Sequence, residues 1–559
     1  MLQIQKPILK EKEMMNKLTI TCGKRLACAG AFLGLTSLGV AASEVAGAQA
    51  AEGKYNVLFI IADDLGATDL SSTGSTFYET PNIDSIARNG MRFTDGYAAT
   101  PVCSPSRYSV LTGRYSPRSG ITDYIGGGMG KNAEIVNPLL PPPNTAAIPS
   151  DETTIAKALK AAGYTTFMAG KWHLGNNESS EYPEHHGFDI NKGGYRQGTP
   201  ANFYAPYINP RLEDGPAGES LNLRLGRETA TFIEQHKDQR FFAFLSFYAP
   251  HTPIQTTKEK WKKYRDKAEK MGLLDRERYK EDDGFLSRIV QDNPVYAGLI
   301  EEMDDSVGIV LEKLKELGLD KNTIVVFTSD NGGVSTARGV SYTSVLPFRG
   351  GKGQDFEGGI RVPFLIQAPG IAKPGSVNPT PVIGTDFYPT LLELAGLPLK
   401  PEQHLDGTSL VPLLKGHSMA ERDLFWHYPH YAPHGRGPSS WMRSGDWKLI
   451  HYWEDGRDAL YNLAEDIGEQ SDLAGKNPEK ASELRSRLDR WVAEIGAKIP
   501  GPDPRWKPEM KRDWNSSFEG RKLNFEKHAR EMLRPDWEPE PREGWGPWWG
   551  SGRNNEQKK

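Results

Sequence analysis

Five short stretches of the chain are predominantly apolar, and each ends abruptly in polar residues: Asn56–Ala62, Tyr164–Ala169, Phe241–Phe247, Thr323–Thr328 and Val362–Ile366. Runs of this length, rich in branched and aromatic residues, predict strands buried on both faces, as in a parallel sheet. Between them the apolar spacing becomes helical. Pro81–Gly90 reads as a short helix stopped by glycine, and Asp151–Ala162 places Ile155, Ala158 and Leu159 on one side. Val295–Leu317 carries Leu299, Ile300, Met303, Val307, Val310, Leu311, Leu314 and Leu317 in one stripe. Glu301, Glu302, Asp304 and Asp305 flank that stripe and read as a solvated face, not a metal cluster. The charged stretch Lys258–Asp283 reads as a solvated helical excursion. Strands alternating with helices predict an α/β fold, with a large mixed, mostly parallel sheet sandwiched by helices. Beyond about residue 400 the texture changes to short alternating strands at Asp423–Tyr428, Ser440–Arg443, Trp447–Tyr452 and Ala459–Asn462, then a helix at Pro478–Ile495. That pattern predicts a smaller C-terminal antiparallel sheet plus helix domain.

At 559 residues the chain exceeds the size at which a single core stops growing. The expected division is 1–50 leader, 51–400 α/β domain, 401–499 C-terminal α+β subdomain and 500–559 a Pro/Trp-rich tail. That tail is expected to wrap the surface or stay disordered, with stacking of its tryptophans on a sugar ring as the alternative. Lys24-Arg25, the apolar run Leu26–Val40 and the small residues Ala46–Ala50 have the layout of a secretory signal, with cleavage expected near Ala48–Ala51. Export to the periplasm or medium is therefore expected. No other run is long enough to span a bilayer. The net charge of −4 gives no reason to expect nucleic acid or an anionic membrane as partner.

The strand ends carry the chemistry-bearing residues. Asp63-Asp64 follow the first run, and are either turn formers or two hard oxygen ligands for a cation. Asp330-Asn331-Gly332-Gly333 repeat the pattern after the fourth. Lys171 and His173 follow the second run, and His251 lies between prolines after the third. Lys352 sits among glycines ahead of the fifth. Open α/β sheets bind ligands outside the carboxyl ends of their strands, so these residues are expected to converge on one pocket. The three cysteines are Cys22 and Cys28, both in the leader, and Cys103. A leftover thiol in an exported chain is reactive, pairs between molecules, or is an inert buried residue. Pro105 suits a first helical turn and Gly113 a helix end, which puts Cys103 at a helix N-terminus with Arg107 one turn on.

Cys103-Ser104-Pro105-Ser106-Arg107, with the trailing Leu111-Thr112-Gly113-Arg114, resembles the C-x-P-x-R signature of the type I, formylglycine-dependent sulfatases. Gly163 through His173 resembles that family's second signature segment, and Thr385–Gly396 another of its helices. The resemblance implies a sulfate ester hydrolase whose Cys103 is oxidised by a formylglycine-generating maturation enzyme to 3-oxoalanine, the aldehyde hydrate being the nucleophile. It implies one Ca²⁺ per chain, held by Asp63, Asp64, Asp330, Asn331 and residue 103; such an all-oxygen set suits a hard cation. By the same resemblance Arg107 holds the hydrate, and Asp330 takes the attacking hydroxyl's proton. Lys171, His251 and Lys352 grip the sulfate, with His251 protonating the leaving oxygen. His173 later deprotonates the remaining hydroxyl. The expected substrate is a sulfated poly- or oligosaccharide. His404, His427, His430, His434, Arg436 and Trp441 are either sugar contacts or ordinary packing. The rival readings are a metal-dependent phosphatase or phosphodiesterase on the same scaffold, a non-catalytic glycan-binding relative, and a Cys–His hydrolase.

Overall fold

Along the strand Asn56–Ala62, side chains alternate between two apolar cores: Leu58, Ile60 and Ala62 enter one, Val57, Phe59 and Ile61 the other. A strand covered on both faces has no position for a polar residue, which is why the run is unbroken in sequence. This computed structural model describes residues 55–126, 136–175, 179–337, 341–432, 435–510, 518–537 and 539. The expected leader, with Cys22 and Cys28, lies outside the described residues, as do Trp545, Trp548 and Trp549.

The first core takes in Phe232, Trp261 and Met303 from the helices Leu221–Gln235, Lys258–Lys270 and Pro294–Glu316. The second takes in Val110, Leu159 and Leu391 from Cys103–Thr112, Ile155–Ala161 and Phe387–Leu394. Each such buried side chain contributes about 1.5–3 kcal/mol. Eight strands form the sheet between the helical layers, in the spatial order Ser376–Asn378, Met91–Phe93, Phe364–Gln367, Thr323–Ser329, Asn56–Ala62, Phe241–Ser246, Thr165–Gly170, Ile190–Lys192. Phe364–Gln367 runs antiparallel to both its neighbours, and the remaining pairings are parallel. The fold is thus α/β with a mixed, mostly parallel sheet.

C-terminal to it, Leu424–Tyr428, Ser439–Ser444, Trp447–Tyr452 and Asp458–Asn462 form a four-stranded antiparallel sheet. Helix Pro478–Glu494 packs into the same core through Leu484, Leu488 and Trp491. The described part of the tail wraps the surface: the Trp261 Nε1–H donates to the Met532 carbonyl at 2.9 Å, and the Trp537 ring lies 5.4 Å from that of Trp261. Among the described residues no helix is long and apolar enough to cross a membrane.

Three expectations need correction. Glu302 and Asp304 are buried, not solvated, because the Pro294–Glu316 helix is covered on that side too. Asp304 accepts from the Asn82 and Ile83 amides at the N-terminus of helix Pro81–Asn89, where a carboxylate satisfies otherwise unpaired N–H groups. Glu302 accepts from Tyr204 and from Ser220. The Lys258–Lys270 helix is solvated on one side only, since Trp261, Tyr264 and Ala268 are buried. The helix expected from Asp151 starts at Ile155, where Thr154 Oγ1 accepts from the Lys157 amide as N-cap.

Candidate active site

Parallel pairing brings four strands to an end at one level. Ala62 stands opposite Ser329, and Ser246 opposite both Ile61 and Gly170. The residues that follow, Asp63-Asp64, Lys171 to His173, His251 and Asp330-Asn331, therefore emerge at one sheet edge, as expected. Lys352 gets there differently. Its strand is not parallel to the others, so Lys352 does not follow a carboxyl end; it precedes Phe364–Gln367, whose amino end lies beside the carboxyl end of Thr323–Ser329. Cys103 enters as the first residue of helix Cys103–Thr112, which Gly113 closes in the left-handed region at φ 70°.

The side chains interlock. Asp63 accepts from Lys171 Nζ at 2.6 Å, and the Cys103 Sγ lies 3.7 Å from its other oxygen. Asp64 pairs with Lys352 Nζ at 2.7 Å, accepts from Asn331 Nδ2 at 2.8 Å, and lies 3.5 Å from His251 Nε2. Arg107 Nε donates to Asp330 Oδ2 at 2.8 Å, and the Asp64 amide donates to Asp330 Oδ1 at 3.2 Å. Ligand atoms of Asp63, Asp64, Cys103 and His251 all lie within 4.8 Å of one another. Nine of the ten predicted site residues thus interlock, and His173, the tenth, lies near enough to feel the charges of Lys171 and Arg107. A further one escaped sequence reading: Ser246 accepts from Arg107 Nη1 at 2.6 Å and donates to the Lys171 carbonyl at 2.6 Å. The only signal for it is a hydroxyl closing an otherwise apolar strand.

Three buried carboxylates face three cations in this pocket. Burial pushes Asp63 up to about 8 against the pull of Lys171. Although burial opposes it, the Asp64 carboxylate holds Lys352 above the usual lysine range. Burial pushes the Cys103 thiol up to about 12, so as cysteine it stays protonated at neutral pH. Burial and Lys352 bring His251 down to about 3, and burial with Lys171 holds His173 well below the ordinary imidazole value. Both rings are neutral. The buried, protonated thiol speaks against the Cys–His hydrolase reading. Asp64 and His173 adopt left-handed backbone at φ 65° and 56°. Such conformations cost about 1–3 kcal/mol each and concentrate where a site dictates the backbone.

Three buried polar atoms here lack a partner among the described residues: Asn331 Oδ1, Arg107 Nη2 and His173 Nδ1. An unpartnered acceptor beside crowded carboxylates is what a cation would satisfy, and an unpartnered guanidinium N–H suits an anionic or hydroxyl oxygen. Asp63, Asp64, Asp330 and Asn331 offer hard oxygens, while Cys103 offers sulfur and His251 a nitrogen, so the set matches a hard cation best with oxygen at position 103.

The proposed sugar contacts divide differently. Trp441 is fully buried and stacks on Trp426, and His427 bonds Ser440 Oγ and the Lys498 carbonyl. His404 is buried against Tyr388, while the Arg436 guanidinium lies over the rings of Phe285 and Phe356. These are packing positions. His430 pairs with Thr122 Oγ1 at 2.7 Å, and His434 lies outside the described residues.

Known proteins share this architecture. The Sulfatase family model matches residues 55–397, and that of N-sulphoglucosamine sulphohydrolase, C-terminal, matches 352–497. A sulfatase of Formosa agariphila is 31% identical over 524 residues, covering 79% of this chain and 90% of that protein. The N-acetylgalactosamine-6-sulfatase of Rattus norvegicus is 33% identical over 396 residues, covering 66% and 68%. The crystal structure of Ps i-CgsB in complex with k-i-k-neocarrahexaose superposes with a TM-score of 0.64 at 26% identity, over 86% of this chain and 99% of that one. This chain belongs to the sulfatase family and is a sulfuric ester hydrolase.

Proposed function

We propose that the enzyme hydrolyses sulfate esters of a poly- or oligosaccharide, with Cys103 converted to formylglycine and one Ca²⁺ in the pocket. The observation that carries this reading is the state of Cys103. Its thiol is buried and held protonated, a poor nucleophile, yet it stands 3.7 Å from Asp63 among three carboxylates and three cations. As cysteine it is inert there; an oxygen-bearing group would complete the donor set. Asp63, Asp64, Asp330, Asn331 and residue 103 would hold the cation, which as a Lewis acid supplies charge stabilisation for the sulfuryl oxygens and orients the nucleophile.

The chain's own residues divide the remaining tasks. Arg107, fixed by Asp330 and Ser246, keeps Nη2 for an oxygen on residue 103. Asp330 stands ready to take the proton of the attacking hydroxyl. Lys171 and Lys352 reach the acids from two sides and would bind the sulfate, together with His251. His251 Nδ1 lies 3.0 Å from the Thr252 carbonyl and 3.1 Å from Thr252 Oγ1, and Nε2 faces Asp64 at 3.5 Å. An anionic ester beside this ring favours its protonated form, the state that would protonate the leaving oxygen. His173 Nε2 donates to the Ile125 carbonyl at 2.8 Å, leaving Nδ1 as the basic nitrogen of a neutral ring. That suits it to remove the proton of the remaining hydroxyl.

A saccharide substrate is supported by relatives named for N-acetylgalactosamine-6-sulfate hydrolysis and by the neocarrahexaose complex. The layout of residues 24–50 supports export after cleavage near Ala48–Ala51. The working division is a catalytic region 51–400, a C-terminal subdomain 401–499 and a tail 500–559. Peptide mass spectrometry of protein from a maturation-competent host tests the chemistry. Formylglycine at position 103, with activity on sulfated sugars lost on chelation and restored by Ca²⁺, is expected. Activity from chains that carry only intact thiol there would overturn the reading.

A further inference from the structure

Three segments distant in sequence close a ring of hydrogen bonds beside Cys103. Ser104 is fully buried; its Oγ donates to the His173 carbonyl at 2.8 Å and accepts from the Ile125 amide at 2.9 Å. The Ile125 carbonyl in turn accepts from His173 Nε2 at 2.8 Å. One hydroxyl therefore holds both the backbone of His173 and the residue that binds its ring. A carbonyl only accepts, so a fixed Ile125 carbonyl keeps the hydrogen on Nε2 and leaves Nδ1 as the lone pair. Gly198 completes the clamp, since a Cβ there would stand 2.4 Å from His173 Cε1.

We propose that Ser104 is a positioning residue, which through Ile125 fixes the tautomer and orientation of His173 so that Nδ1 is the nitrogen available to take a proton. This rests on the reading of His173 as a base. It also assigns a task to the second position of the C-S-P-S-R stretch: a hydroxyl there serves turnover as well as the fold.

The test is a double-mutant cycle, with turnover divided by formylglycine content from peptide mass spectrometry, so that any effect on maturation is removed. Ser104→Ala is expected to lower kcat by about tenfold with KM little changed, and Ser104→Thr, which keeps the hydroxyl, to recover most of it. In a His173→Ala background, Ser104→Ala should cost nothing further. Equal losses in both backgrounds, or no recovery by Thr, would overturn the positioning role. Full activity of His173→Ala alone would instead overturn the base reading. Imidazole nitrogen NMR of histidine-labelled protein needs neither turnover nor matured Cys103. The Nε2–H signature of His173 should persist in Ser104→Thr and be lost in Ser104→Ala, and its persistence in Ser104→Ala counts against the proposal.

Discussion

The loop that brings Lys352 into the pocket continues, five residues on, to Glu357, the centre of a second buried cluster of charges. The two clusters have similar ingredients and opposite character. Glu357 accepts from Lys448 at 3.1 Å, Arg361 at 2.7 Å and Tyr97 at 2.7 Å, while Arg361 and Arg443 also pair with Asp95 at 2.9 and 2.7 Å. Burial alone would push Glu357 up, but Lys448, Arg361 and Arg443 hold it near 2. Both of its oxygens are taken, and the cluster ties the large sheet's loops to the C-terminal sheet. In the pocket, by contrast, Asn331, Arg107 and His173 each keep a buried polar atom without a partner among the described residues. Buried charges that satisfy one another hold a structure together; those left partly unsatisfied are poised for something not yet bound.

Substitutions in each cluster sharpen that contrast. Cys103→Ala should lower sulfate ester turnover by about 10³-fold or more while leaving the melting temperature nearly unchanged, read by paired kinetics and calorimetry. A large loss of stability would make Cys103 a core residue instead. Glu357→Ala should do the reverse. Removing Glu357 leaves buried Lys448 with only Glu469 and Arg361 with only Asp95 as acidic partners, at a cost of about 3–5 kcal/mol in unfolding free energy, with a much smaller change in turnover per folded molecule. Because the folded-state pKa of Glu357 is depressed, its contribution is present above about 4.5 and is lost as pH falls toward about 2; acid denaturation curves of wild type and variant should converge in that window. His251→Ala should slow hydrolysis of an unactivated sugar sulfate by at least about tenfold, and less for an aryl sulfate with a good leaving group. Equal losses on the two substrates would remove His251 as the acid.

The smallest effect belongs to Glu302, which lies in neither cluster. Burial raises it to about 7, so the folded chain holds a proton that the unfolded chain releases near 4.5. Its favourable contribution is full below about 4.5 and fades as pH rises through about 7. Glu302→Gln should flatten this part of the stability profile, and denaturant midpoints between about pH 5 and about pH 8 measure it. An unchanged slope would show that Glu302 ionises normally in the fold.

The buried strands and the helix after Val102 were legible because an element covered on both faces permits no polar position, and because Pro and Gly mark helix ends. The acid pairs, Lys171, His173 and His251 were legible because each directly follows such a strand. Other features had no local signal. Glu302 and Asp304 look solvated in one dimension, since nothing in the Pro294–Glu316 stripe announces that a second helix offers its N-terminus to Asp304. Ser246 and Ser104 look like ordinary small polar residues until their hydroxyls are seen between Arg107, Lys171, Ile125 and His173.

By itself the sequence determined the elements, the residue types at the sheet edge and the family signature around Cys103, because periodicity and strand-end position are properties of neighbours along the chain. Only the tertiary structure decided that Phe364–Gln367 runs backwards and so delivers Lys352 to the same edge. It alone decided which carboxylates are shared with which cations and which polar atoms stay unpaired. Those outcomes depend on contacts between segments up to about 290 residues apart, and on burial, which strengthens every pairing and every missing one.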